Sequence, residues 1–241
     1  MTARRALARG LRNGVTALLA LALAACATMN APSPDDPFEP WNRAMLQVHD
    51  VVDGHIIKPA VQVYVDVTPR PIQQGISNFF ANLDDAISAV NDLLQWKRDK
   101  AGNDMGRVMI NSFFGLGGII DVASDLGIER GNEDFGQTLG YWGVPQGPYL
   151  FIPVFGPTTV RDGSGTLVRA YVHPIGFVDD VATRNLLIAL LFVDTRAQAL
   201  NAENLVGQAA LDRYTFIRGA YLQRREYLVR DGKPAPDKED Q

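Results

Sequence analysis

The sequence predicts an all-α protein with little β structure and one irregular Gly/Pro-rich segment at its centre. Apolar residues recur at helical spacing through most of the chain, the pattern of helices with one apolar stripe. Glycine and proline then crowd the stretch from Gly136 to Gly165, which interrupts that pattern. No apolar run is long enough to cross a bilayer, which takes about 20 residues.

Taken in order, the chain opens on four arginines (Arg4, Arg5, Arg9, Arg12) and an apolar run from Val15 to Ala25. A basic head, a short apolar stretch and small residues before a cut describe a secretory signal peptide over residues 1–25. Leu23-Ala24-Ala25-Cys26, which ends in the chain's one cysteine, resembles the lipobox of bacterial lipoproteins. There the thiol takes a diacylglycerol and the new amine a third acyl chain. Each buried methylene adds about 0.8 kcal/mol, so several chains hold a protein on a membrane almost permanently. Residues 26–36 are short, polar and proline-bearing, a flexible tether. The folded body is expected over 37–231, and a solvated tail over 232–241.

Within the body, Pro40 and Trp41 open a first helix that Asp53-Gly54 should stop. A second begins near Pro59 and must end before Pro69-Arg70-Pro71. The clearest periodicity follows, with Ile76, Phe79, Phe80, Leu83, Ile87, Val90, Leu93 and Leu94 on one stripe. The opposite face carries Asn78, Asn82, Asp84, Asp85, Ser88, Asn91 and Asp92 and no cation. An interfacial helix usually has basic flanks, so the apolar stripe is expected to pack inward. Asn103 to Phe114 is a further helix, broken by Gly115, Gly117 and Gly118 and continued over Ile119 to Leu126. In the central segment helix should not persist. Tyr149 to Phe155 reads either as a short strand, which Pro153 confines to an edge, or as irregular backbone at membrane depth. Gly163-Ser164-Gly165 reads as a turn. Asp179 to Asn201 and Asp212 to Arg230 return to helix, and the apolar run Leu186–Val193 reaches only about 12 Å.

Charge and chemistry exclude several functions. The leader holds four of the 23 Lys+Arg and no acid, which leaves 19 against 27 Asp+Glu, a formal charge of −8. That balance opposes nucleic-acid binding, which needs clustered cations, and simple adhesion to anionic headgroups. A lone cysteine allows no intramolecular disulfide. There is no Gly-x-Ser-x-Gly elbow and no Gly-x-x-x-x-Gly-Lys-[Ser/Thr] phosphate loop. His49, His55 and His173 lack metal-ligand spacing. Asp84-Asp85 and Asp179-Asp180 read as solvated positions or caps. No catalytic constellation assembles, so neither an enzyme, a metal centre nor a cofactor is expected.

Asp36-Pro37-Phe38-Glu39-Pro40-Trp41-Asn42-Arg43-Ala44-Met45 resembles the opening block of the MlaA (VacJ) lipoproteins. Further blocks follow in the same order. They are Ser77–Leu83, Gly115–Ala123, Phe135–Val144, Gly147–Pro153 with Arg161-Asp162-Gly163, and Thr195–Gln198. Pro40 and Trp41 depart from the smaller residues common in that block. The resemblance implies a ring-shaped helical domain in the periplasmic leaflet of the Gram-negative outer membrane. It implies extraction of phospholipids that have strayed into the outer leaflet, through a central amphipathic channel, to a soluble MlaC-like carrier. It also implies a porin trimer as neighbour. A porin-docking lipoprotein without a channel is the alternative. Moving a headgroup past hydrocarbon costs several kcal/mol unless a polar path is supplied. The wall of that path is expected in the central segment, at Gly140, Tyr141, Gly147, Pro148 and Tyr149, closed by Trp41 and Asn42, with Cys26 as the lipidated residue.

Overall fold

The computed structural model describes residues 36–206 and 212–233. Cys26, the leader and the tether before Asp36 lie outside them, as does the tail beyond Lys233. Helix α1 (Glu39–Val52) carries Pro40 in its first turn, where the missing N–H costs nothing. The expected stop at Asp53-Gly54 does not occur. The chain widens into one π-helical turn (Asp53–Ile57) and runs on as α2 (Lys58–Val67). The reason is tertiary: Arg196 grips the buried Asp53 carboxylate with two hydrogen bonds of 2.8 and 2.6 Å. That contact outweighs the roughly 1 kcal/mol a helical glycine costs. Helix α2 ends at extended Thr68, just before Pro69, as the prolines require.

Helix α3 (Arg70–Leu94) starts with Pro71 in its first turn and is joined by three residues to α4 (Arg98–Phe113). The pair is the main helical hairpin of the fold. After the glycine break only one turn, α5 (Val122–Asp125), follows. Asp121 caps it by accepting the Ser124 N–H.

The central segment corrects an expectation, because helix does occur inside it. Asp134 caps α6 (Phe135–Tyr141) by accepting the Gln137 N–H. Helix α7 (Val160–Val172), capped by Thr159, runs straight through Gly163-Ser164-Gly165. Gly165 is there for proximity: a Cβ on it would lie 2.5 Å from the Gly136 backbone nitrogen. Between the two helices an antiparallel hairpin forms from β1 (Tyr149–Ile152) and β2 (Gly156–Thr159), with Tyr149 opposite Thr159 and Ile152 opposite Gly156. Of the two readings of Tyr149–Phe155, the strand is the one observed, and Pro153 falls just after its end. A 3-10 turn (Pro174–Phe177) then leads into α8 (Val181–Val206), whose Asp180 caps Thr183 N–H at 2.7 Å. Helix α9 (Arg213–Val229), capped by Asp212, closes the fold. The molecule is mostly helical with little strand, and no described helix is long and apolar enough to cross a membrane.

The distribution of side chains is inverted relative to a water-soluble domain. Among the described residues, nine of the ten largest fully buried side chains are polar, led by Arg107, Gln95 and Gln137, and only Val61 is apolar. The small apolar core gathers Leu46, Tyr149, Phe151 and Tyr214. Large apolar side chains face outward instead, among them Phe113, Phe114, Leu116, Leu167, Tyr171 and Phe177. Helix α3 shows the inversion within one element. Asn82, Asp85, Ser88, Asn91 and Asp92 are buried, whereas Val90, Leu93 and Leu94 are exposed. The expectation that the apolar stripe packs inward is therefore wrong along the C-terminal half of α3, and Asp85 is a buried ion rather than a solvated one. Exposing a large apolar side chain forfeits about 1.5–3 kcal/mol in water, so a surface of this kind requires a non-aqueous neighbour.

Candidate lipid-binding cavity

The buried polar face of α3 organises everything around it. Arg107 on α4 is fully buried and donates from Nε to Asp85 Oδ2 at 3.0 Å and from Nη2 to both Asp121 oxygens at 2.9 and 3.0 Å. Its Nη1 donates to the Ile128 carbonyl at 2.6 Å and to Ser124 Oγ at 3.1 Å. One guanidinium thereby ties α3, α4, α5 and the following loop together. Burial pushes the Asp85 carboxyl up to about 6, against the pull of Arg130 and Arg107. Asp121, despite burial, is held down to about 2 by hydrogen bonds from Ser124, Asn111 and Arg107.

The loop from Arg130 to Asp134 is pinned by the same face. Ser88 Oγ accepts the Glu133 N–H at 2.9 Å, and Asp104 Oδ1 accepts the Gly131 N–H at 2.7 Å. Gln95 donates to Glu133 and Thr138, and Thr138 donates to Asn91 at 2.8 Å. Lys97 and Lys100 neutralise Glu133. Arg225 of α9 grips Asp134 and Asp162 together, and its pull outweighs the burial that would raise both carboxyls.

Between α3, this loop and α7 lies a cavity of about 590 Å³. Its lining mixes two kinds of side chain. Asp84, Asp85, Ser88, Asn91, Glu133 and Arg169 are polar, while Ile87, Val90, Leu94, Phe135, Val168 and Val172 are apolar. Asp85, Ser88, Asn91 and Glu133 are tied into the hydrogen-bonded frame, so they hold their positions without a ligand. Of the apolar lining, Val90, Leu94, Val168 and Val172 are also exposed on α3 and α7. Such a site fits a molecule with a charged head and a hydrocarbon body. No group of three or more metal-ligating side chains occurs among the described residues. His49, beside Asp50, accepts the Val154 N–H at 3.1 Å and serves the hairpin.

None of the seven residues expected at the channel wall lines this cavity. Asn42 is fully buried, where Nδ2 donates to the Tyr149 carbonyl at 3.0 Å and Oδ1 accepts the Phe151 N–H at 2.9 Å. Its amide occupies the outer edge of β1 as a second strand would. Tyr149 is buried against Tyr214 and Tyr221. Gly140 faces Arg161 and Val229, each within 2.9 Å of where a Cβ would sit. Gly147 has φ +71° and lies beside Val160, with Pro148 between it and β1. Trp41 and Tyr141 are partly exposed, and Tyr141 stacks edge-on with Trp142. Asn42 and Tyr149 therefore meet, as do Gly140 and the base of α7, but the seven do not form one surface. Sequence reasoning missed the cavity itself. The available signal was the cation-free polar face of α3, facing an acidic loop that begins with Arg130.

Comparison with known proteins agrees with this architecture. Residues 34–228 match the model of the MlaA lipoprotein family. The intermembrane phospholipid transport system lipoprotein MlaA of Haemophilus influenzae is 36% identical over 235 residues, covering 93% of each chain. Its Escherichia coli counterpart is 32% identical over 235 residues, covering 94% of this chain and 92% of that one. A solved structure, described as the structural basis for maintenance of bacterial outer membrane lipid asymmetry, superposes with a TM-score of 0.69 at 32% identity. It covers 80% of this chain and 98% of that one. The chain belongs to the MlaA lipoprotein family.

Proposed function

We propose that this protein sits in the periplasmic leaflet of the outer membrane, anchored through acylated Cys26, and extracts phospholipids from the outer leaflet. Lipids then pass to a soluble MlaC-like carrier for return to the inner membrane, with a porin trimer as the neighbour that steadies the protein. One observation carries the reading: a cavity lined by both polar and apolar side chains lies beside exposed large apolar residues in a protein whose largest buried side chains are mostly polar. The headgroup travels along the buried polar face of α3, and the acyl chains stay against Val90, Leu94, Val168 and Val172. No bond is broken, and the desolvation penalty of several kcal/mol for a charge in hydrocarbon is removed by groups already in place.

In this reading Gly140, Tyr141, Gly147, Pro148 and Tyr149, with Trp41 and Asn42, brace the wall from behind. Gly140 lets α6 lie on Arg161 at the start of α7, and both helices border the cavity. The test is transfer of labelled phospholipid from vesicles carrying the protein to purified carrier, without nucleotide. Filling the cavity with Ala86→Trp should stop transfer and leave lipidation and sorting intact. Transfer at the normal rate would place the path elsewhere.

A further inference from the structure

Two cations line the cavity, and they differ in what they have left to give. Arg130 is held between Asp85 at 3.0 Å and Asp121 at 3.2 Å. Arg169 on α7 is half-exposed, and its one partner among the described residues is Asp84, with Nη2 2.6 Å from Oδ1. A guanidinium has five N–H donors in a planar fork that matches phosphate, and only Nη2 of this cavity-lining fork is bonded to a described residue. The carboxylates differ in the same way. Asp85, Glu133 and Asp134 are each neutralised by buried or shielded cations of the frame. Asp84 alone among them pairs with Arg169, and its Oδ1 is shared between Arg169 Nη2 at 2.6 Å and His173 Nε2 at 3.5 Å. His173 Nδ1 accepts the Ile175 N–H at 3.3 Å, so Nε2 carries the proton of the neutral ring.

Arg169 also sits among apolar lining residues. Val168 precedes it on α7 and Val172 lies one turn on, and both border the cavity with it. A phosphate on the guanidinium would leave its acyl chains beside those two valines.

We propose that Arg169 and Asp84 form a headgroup-exchange site, in which a phospholipid with a primary ammonium puts its phosphate on Arg169 and its ammonium on Asp84. One ion pair is thus replaced by two, and no charge in the cavity is left without a counter-ion. A lipid whose headgroup has no cation satisfies Arg169 but leaves Asp84 with His173 Nε2, 3.5 Å away, as its remaining partner. The site therefore selects aminoethyl phosphodiesters over anionic glycerol ones. This inference rests on the reading that the cavity takes lipid.

The experiment loads full-length lipidated protein in mixed micelles with equal phosphatidylethanolamine and phosphatidylglycerol, then quantifies the lipid retained. The wild type should favour phosphatidylethanolamine. Arg169→Gln should lower retention of both roughly tenfold, the scale of a charged hydrogen bond at a part-exposed site. Asp84→Asn should keep its lipid and lose the preference. A pair with a merely structural role predicts the same loss in both variants, which would overturn the proposal. Inorganic phosphate as competitor separates a headgroup from a free anion: lipid should stay bound, and complete displacement would contradict a headgroup site. Wild-type retention by Arg169→Gln sinks the exchange site alone, whereas a wild type that retains no lipid sinks the transport reading with it.

Discussion

Arg107 shows at the scale of one residue how this interior is held. Removing it leaves Asp85 and Asp121 with Arg130 as their remaining cation and empties a fully buried cation's place, and breaking a buried pair from one side costs about 3–5 kcal/mol. Arg107→Ala should lower the thermal midpoint of the detergent-solubilised protein steeply, and a shift near zero would mean the network is not structural. Asp92 makes the opposite case. It is fully buried, and neither carboxylate oxygen has a hydrogen-bond partner. Burial, with Glu133 and Asp104 nearby, pushes it up to about 7. The folded state holds this proton more tightly than the unfolded chain, whose carboxyl titrates near 3.8. Stability contributed by the proton is thus full below about 4 and lost as pH rises through about 7. Asp92→Asn stays neutral throughout, so its melting temperature at pH 8 should exceed the wild type's by roughly 2–4 °C and fall less between pH 5 and 8. An equal or lower melting temperature at pH 8 would contradict this. Sequence showed these residues only as types. Asp85 and Asp92 read as solvated because an acid on a helix usually is, and the cations that accompany Asp85, Arg107 and Arg130, come from α4 and the loop before α6, far along the chain.

Among elements, periodicity located helices well and faces poorly. The stripe of α3 was legible, and its direction was not, because an amphipathic pattern gives two faces without saying which meets protein. In an oily surrounding the assignment reverses, and the absence of Lys and Arg from the polar face was the mark of that. Helices α6 and α7 were hidden by their glycines, which read as breakers when the tertiary need was close approach. Gly165→Ala should therefore cost about 1–3 kcal/mol, since the added methyl meets backbone that cannot yield. Gly219→Ala, inside α9 with nothing within 4 Å of the added methyl, should stabilise by about 0.5–1 kcal/mol. Equilibrium unfolding of both variants checks the pair, and a like sign for the two would refute the packing account. The β1 edge rests on a single side chain. Asn42→Ala, which leaves a buried carbonyl and a buried N–H unpaired, should cost about 1–3 kcal/mol in the same measurement. A loss near zero would mean that the edge does not need it.

For the whole molecule, the order of motifs from Asp36 to Gln198 was enough to resemble the family, and the family comparison confirmed it. Composition gave the charge balance and the expectation that nucleic acid is not a partner. Neither could give the inversion of inside and outside, which is a property of packing and exists only once helices have neighbours. That inversion is the central claim, because it carries the proposal that the exterior faces lipid and the interior offers a polar path. Nitroxide labels at Phe114→Cys, Leu167→Cys, Tyr171→Cys and Asn132→Cys, in protein reconstituted into vesicles, measure it through collision with oxygen and with a water-soluble nickel chelate. The first three should meet oxygen and exclude the chelate, and the label at position 132, in the loop that lines the cavity, should do the reverse. If all four collide equally with the chelate, the apolar surface faces water and the account fails.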